Sequence, residues 1–178
     1  MINSGLSYLI GIALLIIFIV ISILKKTKTQ KIVFGAIFII YITVVTSITM
    51  FPVVYAEEVF MGGDLWYNIM PFNTILSYFE NGVNTTSIVQ LMGNICIAIP
   101  YGFSVMLLCK NKKVWKLLLL APLFSICIEL SQLIIGLSIN NMYRLVDIDD
   151  IILNTVGALV GYGIYLIIPR KITKIFKR

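Results

Sequence analysis

Asn94, Glu129, Gln132, Arg144, Asp147, Asp150 and Asn154 are the residues of this chain whose types and spacing suit chemistry. An arginine offers a planar, bidentate grip on a phosphate or a carboxylate. A carboxylate drawn out of water, as Glu129 would be, suits general acid or base work, and Asp147 and Asp150 add two more candidates for that role. Asn94, Gln132 and Asn154 bring amides that bind a substrate by donating and accepting. Asp147, Asp149 and Asp150 are also hard oxygen ligands of the kind Mg²⁺ or Ca²⁺ takes, although three clustered aspartates more commonly form a solvated loop. The chain has no histidine, which excludes a histidine-based triad or zinc site within it. The expectation is therefore no resident metal and no cofactor, with Mg or Ca the ions the aspartates would suit.

Spacing puts these residues on shared helix faces. Ser125, Glu129, Gln132 and Gly136 advance by four, three and four, which keeps them on one stripe. Asp147, Asp150, Asn154, Gly157 and Gly161 follow the same rhythm, as do Gln90, Asn94, Ala98 and Tyr101. Gly157-Ala-Leu-Val-Gly161 is also a small-xxx-small pattern that lets helix backbones approach closely.

The elements that carry these faces are membrane helices. Hydrophobic residues make up 60% of the 178 and charged residues only 12%, so a globule this small would lack the polar surface to stay soluble. Uncharged apolar runs at about 4–24, 32–56, 88–109, 117–137 and 151–169 each approach the ~20 residues a bilayer span needs. Only the fourth holds an ionisable acid or base, Glu129. The fold expected is an all-α, polytopic membrane protein of five transmembrane helices.

The net charge of +6 does not signal a nucleic-acid partner, because the cations lie in blocks between the spans. Lys25, Lys26, Lys28 and Lys31 form one block, Lys110, Lys112, Lys113 and Lys116 a second, and Arg170, Lys171, Lys174, Lys177 and Arg178 a third. Only Arg144 stands elsewhere. The positive-inside rule puts all three blocks in the cytoplasm if the N-terminus is outside and the C-terminus cytoplasmic. Glu57, Glu58, Asp64, Glu80, Arg144 and the aspartates at 147–150 then face outward, and the buried polar groups fall at one level in the outer leaflet. The first span has its positive charges after the apolar run and no small-residue cleavage site, which fits an uncleaved anchor rather than a signal peptide. Residues 1–31 read as anchor span and basic loop, 32–169 as the membrane domain, and 170–178 as a basic tail suited to anionic lipid.

The external stretch 57–87 has no Lys or Arg and is too apolar for a free loop. Phe72, Ile75, Leu76 and Phe79 recur at helical spacing, and Asn81-Gly82 supplies a stop. This spacing predicts a short interfacial helix, with Trp66 and Tyr67 at headgroup level. Hydroxyls in the second span (Thr43, Thr46, Ser47, Thr49) can bond back to their own helix. Cys96, Cys109 and Cys127 read as small core hydrophobes. Asn84-Thr85-Thr86 matches the glycosylation pattern, a short motif that carries no weight alone. Pro100 and Pro122 lie within spans, where each removes a backbone donor and bends its helix.

Several motifs in order resemble one family. The stretch RLVDIDDIILNTVGALVG at 144–161 resembles the signature of the VanZ-like family: an Arg, an Asp three on, another Asp, then Asn-Thr-x-Gly-Ala-x-x-Gly. Met70-Pro71-Phe72-Asn73 resembles its external Pro-Phe segment, Asn94 with Pro100-Tyr101-Gly102 its Asn-x5-Pro-x-Gly helix, and Glu129-Leu-Ser-Gln132 its Glu-x-x-Gln helix. The match covers about residues 35–168. It departs at Asn140-Asn141-Met142-Tyr143, where members often carry Gly or aromatic residues. The resemblance implies a multi-pass protein of the bacterial cell membrane and an association with low-level teicoplanin resistance; it supplies no reaction.

Two functions stay open on the sequence. In one, the seven residues form an outer-leaflet pocket that binds or modifies a membrane lipid or a lipid-linked envelope precursor, with Glu129, Asp147 and Asp150 catalytic and Asn94, Gln132, Arg144 and Asn154 binding substrate. In the other, Glu129 pairs with Arg144, the network locks the last three spans together, and the protein is a non-catalytic scaffold or accessory subunit. A transporter stands third, since the chain shows no repeat and no polar path through the membrane. The topology makes a direct prediction. A single cysteine placed by Lys112→Cys in a chain cleared of its own cysteines should react with an impermeant maleimide only from the cytoplasmic side.

Overall fold

In the computed structural model, residues 4–51, 67–108, 113–139 and 144–168 are described. In chain order their elements are α1 (Gly5–Leu24), α2 (Thr29–Met50), β1 (Tyr67–Asn68), α3 (Asn73–Glu80), α4 (Thr85–Leu108), α5 (Val114–Ser138), β2 (Val146–Asp147) and α6 (Ile148–Ile167). Five of the six helices, all but α3, are long and apolar enough to cross a bilayer. The all-α reading therefore holds for the bulk of these residues. The exception is the parallel pairing of β1 with β2, too short to leave any alternation in the sequence. Trp66, Cys109, Lys110, Lys112, the departure at 140–143 and the tail from Arg170 lie outside the described residues.

The chain divides into two compact units, one holding α1 and α2 and the other running from β1 to α6. In the first, the α1–α2 turn is a Schellman closure. Lys26 takes a left-handed backbone (φ 51°), the Thr27 amide donates to the Ser22 carbonyl (2.9 Å), and the Lys26 amide to the Ile23 carbonyl (2.9 Å). Gly11 of α1 lies against the Thr43 side chain of α2, where a β-carbon would collide. The Thr43 and Thr49 hydroxyls donate to the carbonyls of Ile39 and Val45, both at 2.8 Å, as expected of hydroxyls within a span.

Helix α2 ends at Met50 rather than near residue 56. The cause is Pro52: its ring disfavours helical backbone in the residue before it, and Phe51 is extended (φ −123°, ψ 156°). At the other end of the chain's long helices, α4 starts before the apolar run does. Asn84 and Ser87 exchange bonds there: the Ser87 amide donates to Asn84 Oδ1 and the Asn84 amide to Ser87 Oγ, each at 2.9 Å. This is a reciprocal cap. The Asn-Thr-Thr pattern thus has a local structural use.

In the second unit, α6 packs most extensively on α4 and next on α5. The α4–α6 seam is a backbone contact. A β-carbon on Gly157 would strike the Ile95 carbonyl, one on Gly161 the Ile99 carbonyl, and one on Gly102 the Ala158 backbone. Helices α4 and α5 meet through the stacked rings of Tyr101 and Phe124, 4.1 Å apart, and through the Tyr101 hydroxyl, which donates to the Leu120 carbonyl at 3.1 Å. Both prolines lie inside their helices. Ala98, Met106, Leu117, Ala121, Ile128 and Ala158 are buried, while Leu119, Leu123, Ile134 and Leu166 point outward, the distribution a lipid-bathed bundle requires. Cys96 and Cys127 are free and exposed. They are not core residues, because their helix faces point away from the seam.

The seam predicts an asymmetric pair of substitutions. Gly157→Ala should lower the thermal stability of the detergent-solubilised protein by about 1–3 kcal/mol through overpacking. Gly163→Ala, whose added carbon meets nothing within 4 Å, should leave stability unchanged or slightly raised, as scanning fluorimetry can measure.

Candidate functional site

The site grows from the turn that opens α6. Asp147 is the residue before the helix, and its Oδ1 accepts from the Asp149 amide at 2.9 Å, a side-chain cap on the first turn. The same oxygen accepts from the Asn68 side-chain amide at 2.9 Å. Backbone pairing of Asn68 with Asp147 in the β1–β2 bridge sets those two side chains together. Asp149 and Asp150 follow in the first turn, where the positive end of the helix dipole favours carboxylates.

Each of the three aspartates then reaches a different element. Asp149 is 1% exposed. Its Oδ1 accepts from the Phe72 amide (2.5 Å) and its Oδ2 from the Ile75 amide (3.1 Å). Helix α3 starts at Phe72 in a left-handed conformation (φ 67°) with no cap from its own side chain. Asp149 supplies that cap from α6. Asp150 accepts from the Asn94 side-chain amide of α4. The Asp147 backbone amide donates to Glu129 Oε2 of α5 at 3.2 Å, and Glu129 itself is only 3% exposed.

One turn below Asp150, the Asn154 amide donates to Ser125 Oγ of α5 at 2.8 Å. The Ser125 hydroxyl in turn points at the Asp150 carbonyl, 3.5 Å away. Gln132 is buried on the Glu129 face of α5 and makes its own polar contact. Arg144 is half-buried and engaged, and its charge acts on both Glu129 and Asp150. The described residues thus bring Asn94, Glu129, Asp147, Asp150 and Asn154 into one hydrogen-bonded neighbourhood, with Arg144 in electrostatic reach.

Two buried acceptors in this neighbourhood have no donor among the described residues: Asp147 Oδ2 and Asn154 Oδ1. Among the described residues, no group of three or more Asp, Glu, Cys or His side chains is arranged to hold a metal ion. The triplet at 147–150 is not a solvated loop, since Asp147 and Asp149 are each 1% exposed. Its members diverge because successive residues of a helical turn point in different directions.

Sequence reasoning missed Asn68 and the role of Asp149. Asn68 donates to Thr74 Oγ1 (3.0 Å) as well as to Asp147, and its Oδ1 accepts from the Met70 amide (3.2 Å). An Asn two residues before Met-Pro is a turn signal, but its partner lies 79 residues away. The helix predicted between the second and third spans is α3, and it extends the network. The Tyr78 hydroxyl donates to Gln90 Oε1 at 2.7 Å. Loss of water around that phenol, then the charges of Asp150 and Asp147, hold it above the usual tyrosine range.

A family model described as VanZ/LLP1 matches residues 38–169, a stretch that contains every residue of this network. No curated protein and no solved structure matches the chain.

The clamp on α3 is open to test. Asp149→Ala removes two hydrogen bonds to a charged acceptor, each worth about 1.5–3 kcal/mol. Hydrogen exchange of the α3 amides should then speed up by about 10-fold or more, with exchange in α4 unchanged. Unaltered α3 exchange would show that the helix holds its place without α6.

Proposed function

The chain belongs to the VanZ-like family of multi-pass membrane proteins, and we propose that it acts at the outer leaflet of a bacterial cell membrane. There it binds or modifies a lipid-linked or phosphate-bearing envelope molecule, and through that contributes to glycopeptide resistance of the teicoplanin type, the trait with which the family is associated. The observation that carries this reading is the convergence of Asn94, Glu129, Asp150 and Asn154 from three candidate spans, together with Asp147 just before the last, into one network. A carboxylate within a span costs at least about 2.5–3.5 kcal/mol, and intramembrane ionisable groups are by default functional.

On this reading Arg144 grips a phosphate, while Asn94, Gln132 and Asn154 hold the rest of the headgroup. Glu129, Asp147 and Asp150 are placed for proton transfer or for charge stabilisation. A lipid reaches such a pocket sideways from the bilayer, so no aqueous channel is needed. The outward orientation rests on the positive-inside pattern of the loops.

A second reading has an observation of its own. Asp149 has both oxygens committed to α3, and Glu129 holds a backbone amide of the α6 turn. Both are jobs a purely structural clamp would do, and under this reading the protein is a scaffold or accessory subunit.

Conservative substitutions separate the two. Under the pocket reading, Glu129→Gln and Arg144→Lys leave an expressed, membrane-inserted protein that no longer changes the lipid or envelope-precursor profile of its cells, followed by mass spectrometry. Loss of folded protein in both variants, or a profile indifferent to the wild-type protein, would favour the clamp.

A further inference from the structure

The two unmet acceptors say something about the ligand that the network alone does not. Asp147 is 1% exposed and Asn154 is 3% exposed, and each leaves one oxygen buried without a donor. A buried acceptor without a donor costs about 1–3 kcal/mol, so each of these two oxygens favours a donor brought from outside the described residues. Protonation of the carboxylates would not meet this need in full. The Asn154 amide oxygen wants a donor at any pH. The Asn154 amide nitrogen donates to Ser125 Oγ at 2.8 Å, and it is the oxygen that is left without a donor.

Charge points the same way. Glu129, Asp147 and Asp150 act on one another electrostatically, with the single guanidinium of Arg144 opposing them. An anionic group alone would bring further acceptors to a place whose unmet groups are already acceptors. A metal ion would need several carboxylates aimed at one point, an arrangement not found among the described residues. A primary ammonium differs from both: it carries three donors and one charge, and accepts scattered oxygens.

Resting on the reading of this network as a headgroup pocket, we propose that it recognises a primary ammonium, carried on an outer-leaflet lipid headgroup whose phosphate Arg144 holds. The class of ligand is thus zwitterionic, an aminophospholipid or an amine-bearing lipid-linked precursor. Asp147 Oδ2 and Asn154 Oδ1 accept from the ammonium, and Glu129 and Asp150 complete its counter-charge.

The test is native mass spectrometry of the full-length protein, offered phosphatidylethanolamine, its N-acetylated form and phosphatidylglycerol in equal amounts. N-acetylation keeps the phosphate but turns the ammonium into a neutral amide with one N–H, so it removes both the charge and two of the three donors. Phosphatidylethanolamine should be retained about 10-fold or more over the N-acetylated lipid, the difference expected from hydrogen bonds to charged groups. Asp147→Asn should abolish the preference. It keeps an acceptor for Asn68 and for the Asp149 amide, since Asn also caps helices well, and the wild-type comparison decides even if that variant fails to fold. Retention of soluble phosphoethanolamine by the wild type would also support the proposal and would mark a free solute as a source of the same chemistry.

Equal retention of all three lipids would overturn the ammonium assignment and leave the headgroup pocket standing. Retention of none, with phosphoethanolamine also unbound, would overturn both. Stabilisation by MgCl₂ alone in the wild type, lost in Asp147→Asn, would overturn the proposal in favour of a metal.

Discussion

A polar group inside a bilayer cannot turn to water, so each must find its partner within the protein. This constraint governs the second unit of the molecule. The turn that opens α6 is where it is met: Asp147, Asp149 and Asp150 connect to β1, α3 and α4, and the Asp147 amide connects to α5. One helical turn thus joins four other elements. The glycine seam between α4 and α6 makes this possible, because Asn94 reaches Asp150 only if the two backbones come close.

The same constraint explains which parts were legible in the sequence. The spans are visible because uninterrupted apolar runs have few other uses. The buried faces of α5 and α6 are visible because Ser125, Glu129, Gln132 and Gly136, and Asn154, Gly157 and Gly161, keep helical rhythm, and all are buried. Helix α3 shows in the spacing of Phe72, Ile75, Leu76 and Phe79. Periodicity reports which side of a helix is buried, and it does so for α5 and α6, while on α4 Gln90 of the expected stripe is exposed.

It does not report what a side chain bonds to. Asp149 falls off the polar stripe of α6, so nothing in the rhythm marks it. Yet it is among the most buried polar residues, and its partners lie 77 and 74 residues earlier. Asn68 is hidden for the same reason. The α2 terminus was readable in principle, since Pro52 dictates it, but hydrophobicity continues past the proline and masks the break. Local rules and long-range bonds each left their own kind of gap.

The order of synthesis gives the α6 turn a further meaning. Asn94 and Glu129 lie 56 residues and 18 residues ahead of the partners that satisfy them. While α4 and α5 enter the bilayer, neither has its bond, and the glycine seam has no second backbone to meet. These two helices must therefore wait, held in a sheltered insertion site or beside lipid headgroups, until the chain has delivered the segment that completes them. Biogenesis of this unit is a delayed assembly closed by its last span.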